Sequence, residues 1–187
     1  MKKDIVVGLG EIGMPIYKIL SKSFPVEGID KNTKLINVKK NNSLKSYDVD
    51  LIHFCIPYNK MFERTVYNYS KKFSPIAIVI HSTVKPNTSS NIQKKLAMPV
   101  IYSPIRGIHK RMMSDLKRYS KFFAIDISHP ESKKISNHYV KKLTKLGIKS
   151  KKISSTITLE LSKIIVDTSY YGWLINYAQL SKIIADK

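Results

Sequence analysis

Gly8, Gly10 and Gly13 stand at G-x-G-x-x-G spacing, and the chemistry of the chain is read outward from them. The apolar, β-branched run Ile5-Val6-Val7 precedes them and reads as a buried parallel strand. Ile12, Ile16, Ile19 and Leu20 follow at helical spacing. Three glycines alone say little, but strand, glycines and helix in that order describe a turn that receives a diphosphate. Gly8 permits the tight turn, Gly10 leaves the backbone bare, and Gly13 lets the helix lie close to the strand. The helix N-terminus, at Glu11 and Ile12, then offers N–H groups to the anion. A second short strand, Pro25 to Ile29, ends at Asp30. That is about 20 residues past the first glycine, where an acid takes the hydroxyls of an adenosine ribose. Asp30 repels a 2′-phosphate, so the cofactor expected is NAD rather than NADP, with Lys31 next door pulling the other way.

The elements that position these groups alternate. Further strands are expected at Leu51–Ile56, Ile76–Ile80, Val100–Tyr102, Lys121–Ile127 and Ile148–Ile153. Helices are expected at Lys60–Lys72, Asn87–Leu96, Met112–Tyr119 and Glu131–Leu146, the last capped by Gly147. A short polar helix or turn is expected at Asn32–Asn42. Alternation of this kind predicts an α/β fold, a doubly wound, mostly parallel Rossmann sheet. Ligands bind such sheets beyond the carboxyl ends of the strands. Gly8–Gly13, Asp30, Pro57–Tyr58, Ser82–Thr83 and Arg106–His109 all fall there, which points to one site. Cys55, the single cysteine, is expected inside a strand as an inert thiol, and His53 beside it as an ordinary core or edge histidine. No metal site is expected.

Charge is the other conspicuous feature: 33 basic residues against 13 acidic in 187, a formal +20. Nucleic acid is the obvious partner to test. Yet only Arg64, Arg106, Arg111 and Arg118 are arginines, leaving 29 lysines spread over the whole length. Base-edge readout leans on arginine, and a binding face needs a stripe, so the composition argues against nucleic acid. One cysteine excludes a disulfide framework. No signal-peptide core opens the chain, and no charge-free apolar run reaches the ~20 residues of a membrane span. A cytoplasmic protein is expected.

Residues 1–154 are expected to form the nucleotide-binding domain and 155–187 a long helix. Thr156 is available as its N-cap, and Leu161, Ile164, Tyr170, Trp173, Tyr177, Leu180 and Ile184 spread over nearly every side of it. The helix is roughly 45 Å long at 1.5 Å per residue, more than one such domain can cover. It is therefore expected to dimerise with a second copy.

Taken in order, Val7–Gly13, Asp50–Pro57, His81-Ser-Thr-Val-Lys-Pro-Asn-Thr88, Tyr102-Ser-Pro104 and Glu160-Leu-Ser-Lys163 with Asp167 resemble the nucleotide-sugar (UDP-glucose/GDP-mannose) dehydrogenases. More loosely they resemble the 6-phosphogluconate and β-hydroxyacid dehydrogenases. The resemblance covers that family's N-terminal domain and the start of its central helix. It implies a cofactor-binding set of Gly8, Gly10, Glu11, Ile12, Gly13, Asp30, Lys31, Pro57, Ser82 and Thr83. It also implies that Thr83 lies near the nicotinamide and a catalytic water, and that Lys163 stabilises the substrate alkoxide or acts as base. The family carries Asn where this chain has Asp167. An Asp one turn from Lys163 holds the lysine protonated, which favours oxyanion stabilisation. A plain surface ion pair is the alternative.

Two departures stand out. After Ser103-Pro104 the family places Glu; this chain has Ile105 and Arg106. With His109, Arg106 is expected to receive an anionic substrate, the alternative being a solvated basic loop. Residues 1–187 contain neither the family's Gly-Gly-x-Cys motif nor its C-terminal domain. The expectation is a single two-electron hydride transfer on a small anionic or sugar-type alcohol, not the family's four-electron oxidation. A non-catalytic NAD-binding module and half of a split enzyme stay open.

Overall fold

The computed structural model describes residues 2–35, 49–107 and 109–186, with Thr33 and His109 described in their backbone only. Its centre is a seven-stranded sheet in the order β2-β1-β3-β4-β5-β6-β7, formed by Lys3–Val7 (β1), Val26–Ile29 (β2), Val49–Phe54 (β3), Ala77–Ile80 (β4), Val100–Tyr102 (β5), Lys121–Ile125 (β6) and Ser150–Lys152 (β7). The first five run parallel; β6 reverses against β5, and β7 follows β6. The expected doubly wound α/β sheet is therefore present.

Successive side chains of a strand point to opposite faces, and both faces here are covered. Val6, Leu51, Val79, Ile101 and Phe123 pack under α1 (Gly13–Leu20), α4 (Met112–Arg118) and α5 (Ser132–Lys145). Ile5, Val7, Ile52, Phe54, Ile78 and Tyr102 pack under α2 (Phe62–Phe73), α3 (Thr88–Leu96) and the start of α6 (Thr156–Ile164). Burial on both faces is why these strands read as unbroken apolar runs. In α2 the buried anchors are Phe62, Val66 and Phe73; Met61 precedes the helix and is exposed. The expected polar helix at 32–42 is a short 3₁₀ turn, Thr33–Leu35; residues 36–42 lie outside the described residues. Ile127 lies beyond β6, 80% exposed.

The C-terminal helical run is unbroken but not uniform. Its cap is Ser155 rather than Thr156: the Ser155 hydroxyl accepts the Thr158 N–H at 3.2 Å, while Thr156 turns inward and is buried. Between α6 and α7 (Tyr171–Ala185) the ladder widens into a π-helical turn, Ile165–Tyr170. There the Thr168 hydroxyl donates back to the Ile164 carbonyl at 2.6 Å, a bond that competes with the regular ladder. Leu159 and Glu160 are buried, but no residue of the π turn or of α7 is. Trp173, Tyr177 and Ile184 are 70, 63 and 66% exposed. Among the described residues no helix is long and apolar enough to cross a membrane.

Candidate functional site

The carboxyl ends of the parallel strands carry two clefts, not the single site expected from the sequence. The first, about 670 Å³, lies over the turn after β1. Gly8 has φ +89°, and a Cβ there would stand 2.9 Å from the Cys55 carbonyl oxygen. A Cβ on Gly13 would fall 1.6 Å from the Gly8 oxygen, so only glycine lets α1 start here. A Cβ on Gly10 would meet nothing within 4 Å, so the middle glycine borders open space. Ile12, at the N-cap of α1, supplies no side-chain cap bond. A bare backbone beside an uncapped helix start suits a diphosphate, so the residues present fit a dinucleotide.

Asp30 points at this turn. Its carboxylate accepts the Leu9 N–H at 2.6 Å through one oxygen and the Asn32 N–H at 2.8 Å through the other. Each oxygen keeps a lone pair for a further donor. Gly8, Gly10, Glu11, Ile12, Asp30, Lys31, Pro57, Ser82 and Thr83 all line the cleft, whereas Gly13 packs beneath it. The Ser82 hydroxyl donates to the Ile56 carbonyl at 2.6 Å, tying the end of β4 to the end of β3.

Cys55 corrects an expectation. It lies one residue past β3 and lines the cleft instead of sitting inside the strand. Its thiol is nonetheless inert, because burial pushes it up to about 12. Sequence reasoning missed the far wall, Met61, Thr65 and Tyr69, although their spacing of four already sets them on one helical stripe.

The second cleft, about 780 Å³, is bounded by the loop after β5, by α4, and by α6 with its π turn. Lys163 and Asp167 line it together, paired at 2.6 Å across one turn. Arg106 lines it as well, its guanidinium 5.1 Å from the centre of the Tyr119 ring. Arg111 is tied to the buried Asp115 at 3.2 Å. The His109 side chain lies outside the described residues. Thr83 lines only the first cleft, so the residues Lys163, Asp167 and Thr83 do not share one wall. The two walls nevertheless start side by side: the Ser103 N–H, at the head of the basic loop, donates to the Ile80 carbonyl at 2.8 Å, just before His81-Ser82-Thr83.

Glu160 anchors α6, the helix that carries Lys163. It is fully buried, and its carboxylate accepts the Asn87 N–H at 2.7 Å and the Ser89 N–H and hydroxyl at 2.9 and 2.7 Å. It thereby caps α3 from another helix and bolts α6 to the end of the sheet. Burial raises this carboxyl above its usual range even though those bonds favour the charged form. An acid set between Leu159 and Leu161 was the available signal, and sequence reasoning gave it no role.

No protein-family model and no curated protein matches the chain. Solved structures do. UDP-D-ManNAc dehydrogenase from Pyrococcus horikoshii aligns with a TM-score of 0.72 and 17% identity, over 89% of this chain and 50% of the other. The UDP-N-acetyl-mannosamine dehydrogenase Cap5O from Staphylococcus aureus gives 0.69 and 19%, over 97 and 54%. A reductive aminase from Aspergillus terreus, in complex with NADPH and ethyl levulinate, gives 0.73 and 11%, over 100 and 67%. At such identities the likeness is one of fold: that of the nucleotide-sugar dehydrogenases, shared with reductases. The chain spans about half the length of the two nucleotide-sugar dehydrogenases it matches.

Proposed function

We propose that the chain is an NAD-dependent oxidoreductase whose first cleft holds the dinucleotide and whose second holds an anionic alcohol or carbonyl. The observation that carries this is the bond from Leu9 N–H to Asp30, which aims a carboxylate at a glycine turn with open space over Gly10. Gly8, Gly10 and the start of α1 bind the diphosphate, and Asp30 binds the adenosine ribose. The same carboxylate repels a 2′-phosphate, which favours NAD over NADP. Bound NAD would supply the hydride acceptor, with Ser82 and Thr83 at the junction of the two clefts. Lys163, paired with Asp167 on the helix that the buried Glu160 anchors, donates to the substrate oxygen as charge grows there. Arg106 receives a carboxylate or phosphate. The structural neighbours named for UDP sugars make a nucleotide sugar the first substrate to try.

We further propose that 155–187, docked on the domain 1–154 through α6, pair two copies through the exposed α7, supported by the exposed Trp173, Tyr177 and Ile184. Sedimentation at micromolar concentration should give a dimer, and Leu180→Glu a monomer; a wild-type monomer contradicts the pairing. NAD reduction, screened against nucleotide sugars and small hydroxyacids with Lys163→Ala as the blank, tests the activity. Turnover by wild type alone supports the reading. Equal signals contradict it, and NAD binding without turnover makes the chain a cofactor-binding module.

A further inference from the structure

A line of buried polar groups runs through the sheet behind the second cleft. Lys121, at the start of β6, lines that cleft and is only 6% exposed. Its ammonium donates to the Ser103 and Pro104 carbonyls at 3.0 and 3.4 Å and lies 3.5 Å from His81 Nδ1. Among the described residues no carboxylate pairs with it. His81 Nδ1 is 2.8 Å from the Ser103 carbonyl oxygen, and His81 Nε2 is 3.0 Å from His53 Nδ1. The two rings are stacked, 5° from parallel. His53 Nε2 then faces Asp4 Oδ2 at 3.9 Å.

The hydrogens follow from these contacts. A carbonyl oxygen has no hydrogen to give, so His81 Nδ1 carries one and donates it to Ser103. A neutral His81 then accepts at Nε2, and His53 must donate from Nδ1. A neutral His53 would leave its Nε2 bare, facing a carboxylate oxygen. Both atoms, His53 Nε2 and Asp4 Oδ2, are buried with no hydrogen-bond partner. Such a pair of facing acceptors is costly, and one proton on His53 Nε2 replaces their repulsion with a positive charge set 3.9 Å from the carboxylate. A spare proton lies at the other end of the line, on a buried ammonium without a counter-charge.

We propose that Lys121 and His53 share one proton through His81, and that its resting place on His53 leaves Lys121 facing the second cleft as an amine. The amine takes the hydroxyl proton of the substrate. The substrate O–H bond breaks and an Nζ–H bond forms, while the hydride leaves the same carbon with its electron pair in the transfer proposed above, on which this role rests. The ammonium returns its proton to water when product leaves. The shared proton crosses by paired shifts: His53 Nδ1–H moves to His81 Nε2 as His81 Nδ1–H moves to Lys121. His81 exchanges one tautomer for the other, while His53 passes from the doubly protonated to the neutral ring and keeps its Nε2–H towards Asp4.

The surroundings of each group agree. Burial lowers Lys121 to about 7; Cys55, at the end of β3, acts against that drop, and Lys163 of α6 adds to it. Burial first, then Lys121 and His53, hold His81 well below the usual histidine range, so it passes protons as a neutral ring. Burial works to raise Asp4, but His53 and Lys142 keep it below the ordinary carboxyl value. Lys142, from α5, bonds Asp4 and Asp50 at 2.6 Å each, and His138 takes Asp50 from the solvent side at 2.9 Å. Tyr139, also from α5, is pushed far up by burial and donates to the Ser103 hydroxyl at 3.0 Å.

Long-range proton–nitrogen spectra of the histidine rings test the sharing without any substrate. In the wild type at pH 7, His53 should carry protons on both ring nitrogens. Lys121→Met should leave that pattern, whereas Lys121→Arg, a cation that cannot let go of its proton, should return His53 to one ring proton. A wild-type His53 with a single ring proton, or one indifferent to Lys121→Arg, overturns the proposal. Where a substrate is found, both variants should lower kcat by about 100-fold with KM unchanged and should abolish the limb of the pH profile near 7. Unaltered kcat in either variant overturns the role as proton acceptor. Failure to find any substrate counts against the proposed activity alone, since the ring spectra decide the sharing. NAD calorimetry and the amide spectrum confirm that each variant is folded.

Discussion

The two clefts lie at the same end of one sheet but are made of different material. The first is backbone: a turn with φ +89° at Gly8, a helix start at Gly13, and one acid, Asp30, at a neighbouring strand end. The second is made of long side chains, Arg106, Lys121, Lys163 and Asp167, brought from a loop, an antiparallel strand and a helix. A backbone site follows from local sequence, because glycine spacing dictates the turn. A side-chain site follows from tertiary packing, in which α6 must be docked before Lys163 points anywhere.

That contrast can be broken most forcefully at the glycines. Gly13→Ala should cost about 3 kcal/mol or more, because its Cβ collides with the Gly8 carbonyl oxygen. Gly10→Ala, whose Cβ meets nothing, should leave the unfolding midpoint unchanged and weaken NAD binding by about tenfold or more. Denaturant melts and calorimetry on the two variants separate the effects, and equal destabilisation would refute the division of labour between the glycines.

Glu160→Ala should come next, at about 2–3 kcal/mol, because it strands the Asn87 and Ser89 N–H groups that its carboxylate holds. It should also weaken substrate binding while sparing NAD, since α6 borders only the second cleft.

Lys121→Met sharpens the contrast from inside the protein. The folded lysine sits at about 7 against an ordinary 10.5, so folding loses stability as pH falls from 10.5 to 7. The substitution should therefore stabilise by about 1–2 kcal/mol at pH 7, with the gain fading towards pH 10.5. Urea melts at the two ends of that range check it, and a constant difference would contradict the origin assigned to the shift.

Arg106→Ala should have the smallest effect, raising KM for an anionic substrate about fivefold with little change in stability, because the guanidinium is exposed over Tyr119. Steady-state kinetics at low and high salt read it.

What was legible in the sequence divides along the same line. The strand–glycine–helix order, Asp30 and the alternation of elements located the sheet and the first cleft, because each rests on local rules of spacing. The Lys163–Asp167 pair was visible too, as two charges one turn apart. The roles of Glu160, His53, His81 and Lys121 were not, since they depend on which strands become neighbours. His53 opposes Val6 across β1–β3, and the β4–β5 register puts Tyr102 beside Ile80, one residue before His81. No periodicity in the chain carries that information. The cap at Ser155 was misplaced by one residue because Thr156, equally suited by type, is turned into the core.

Titration calorimetry of the wild-type chain with NAD and with NADP addresses the role proposed for the first cleft most directly. Heat with NAD, a weaker response with NADP, and loss of that preference in Asp30→Ala are the expected results. No heat with either dinucleotide, under conditions where the chain is folded, would contradict the reading of the glycine turn.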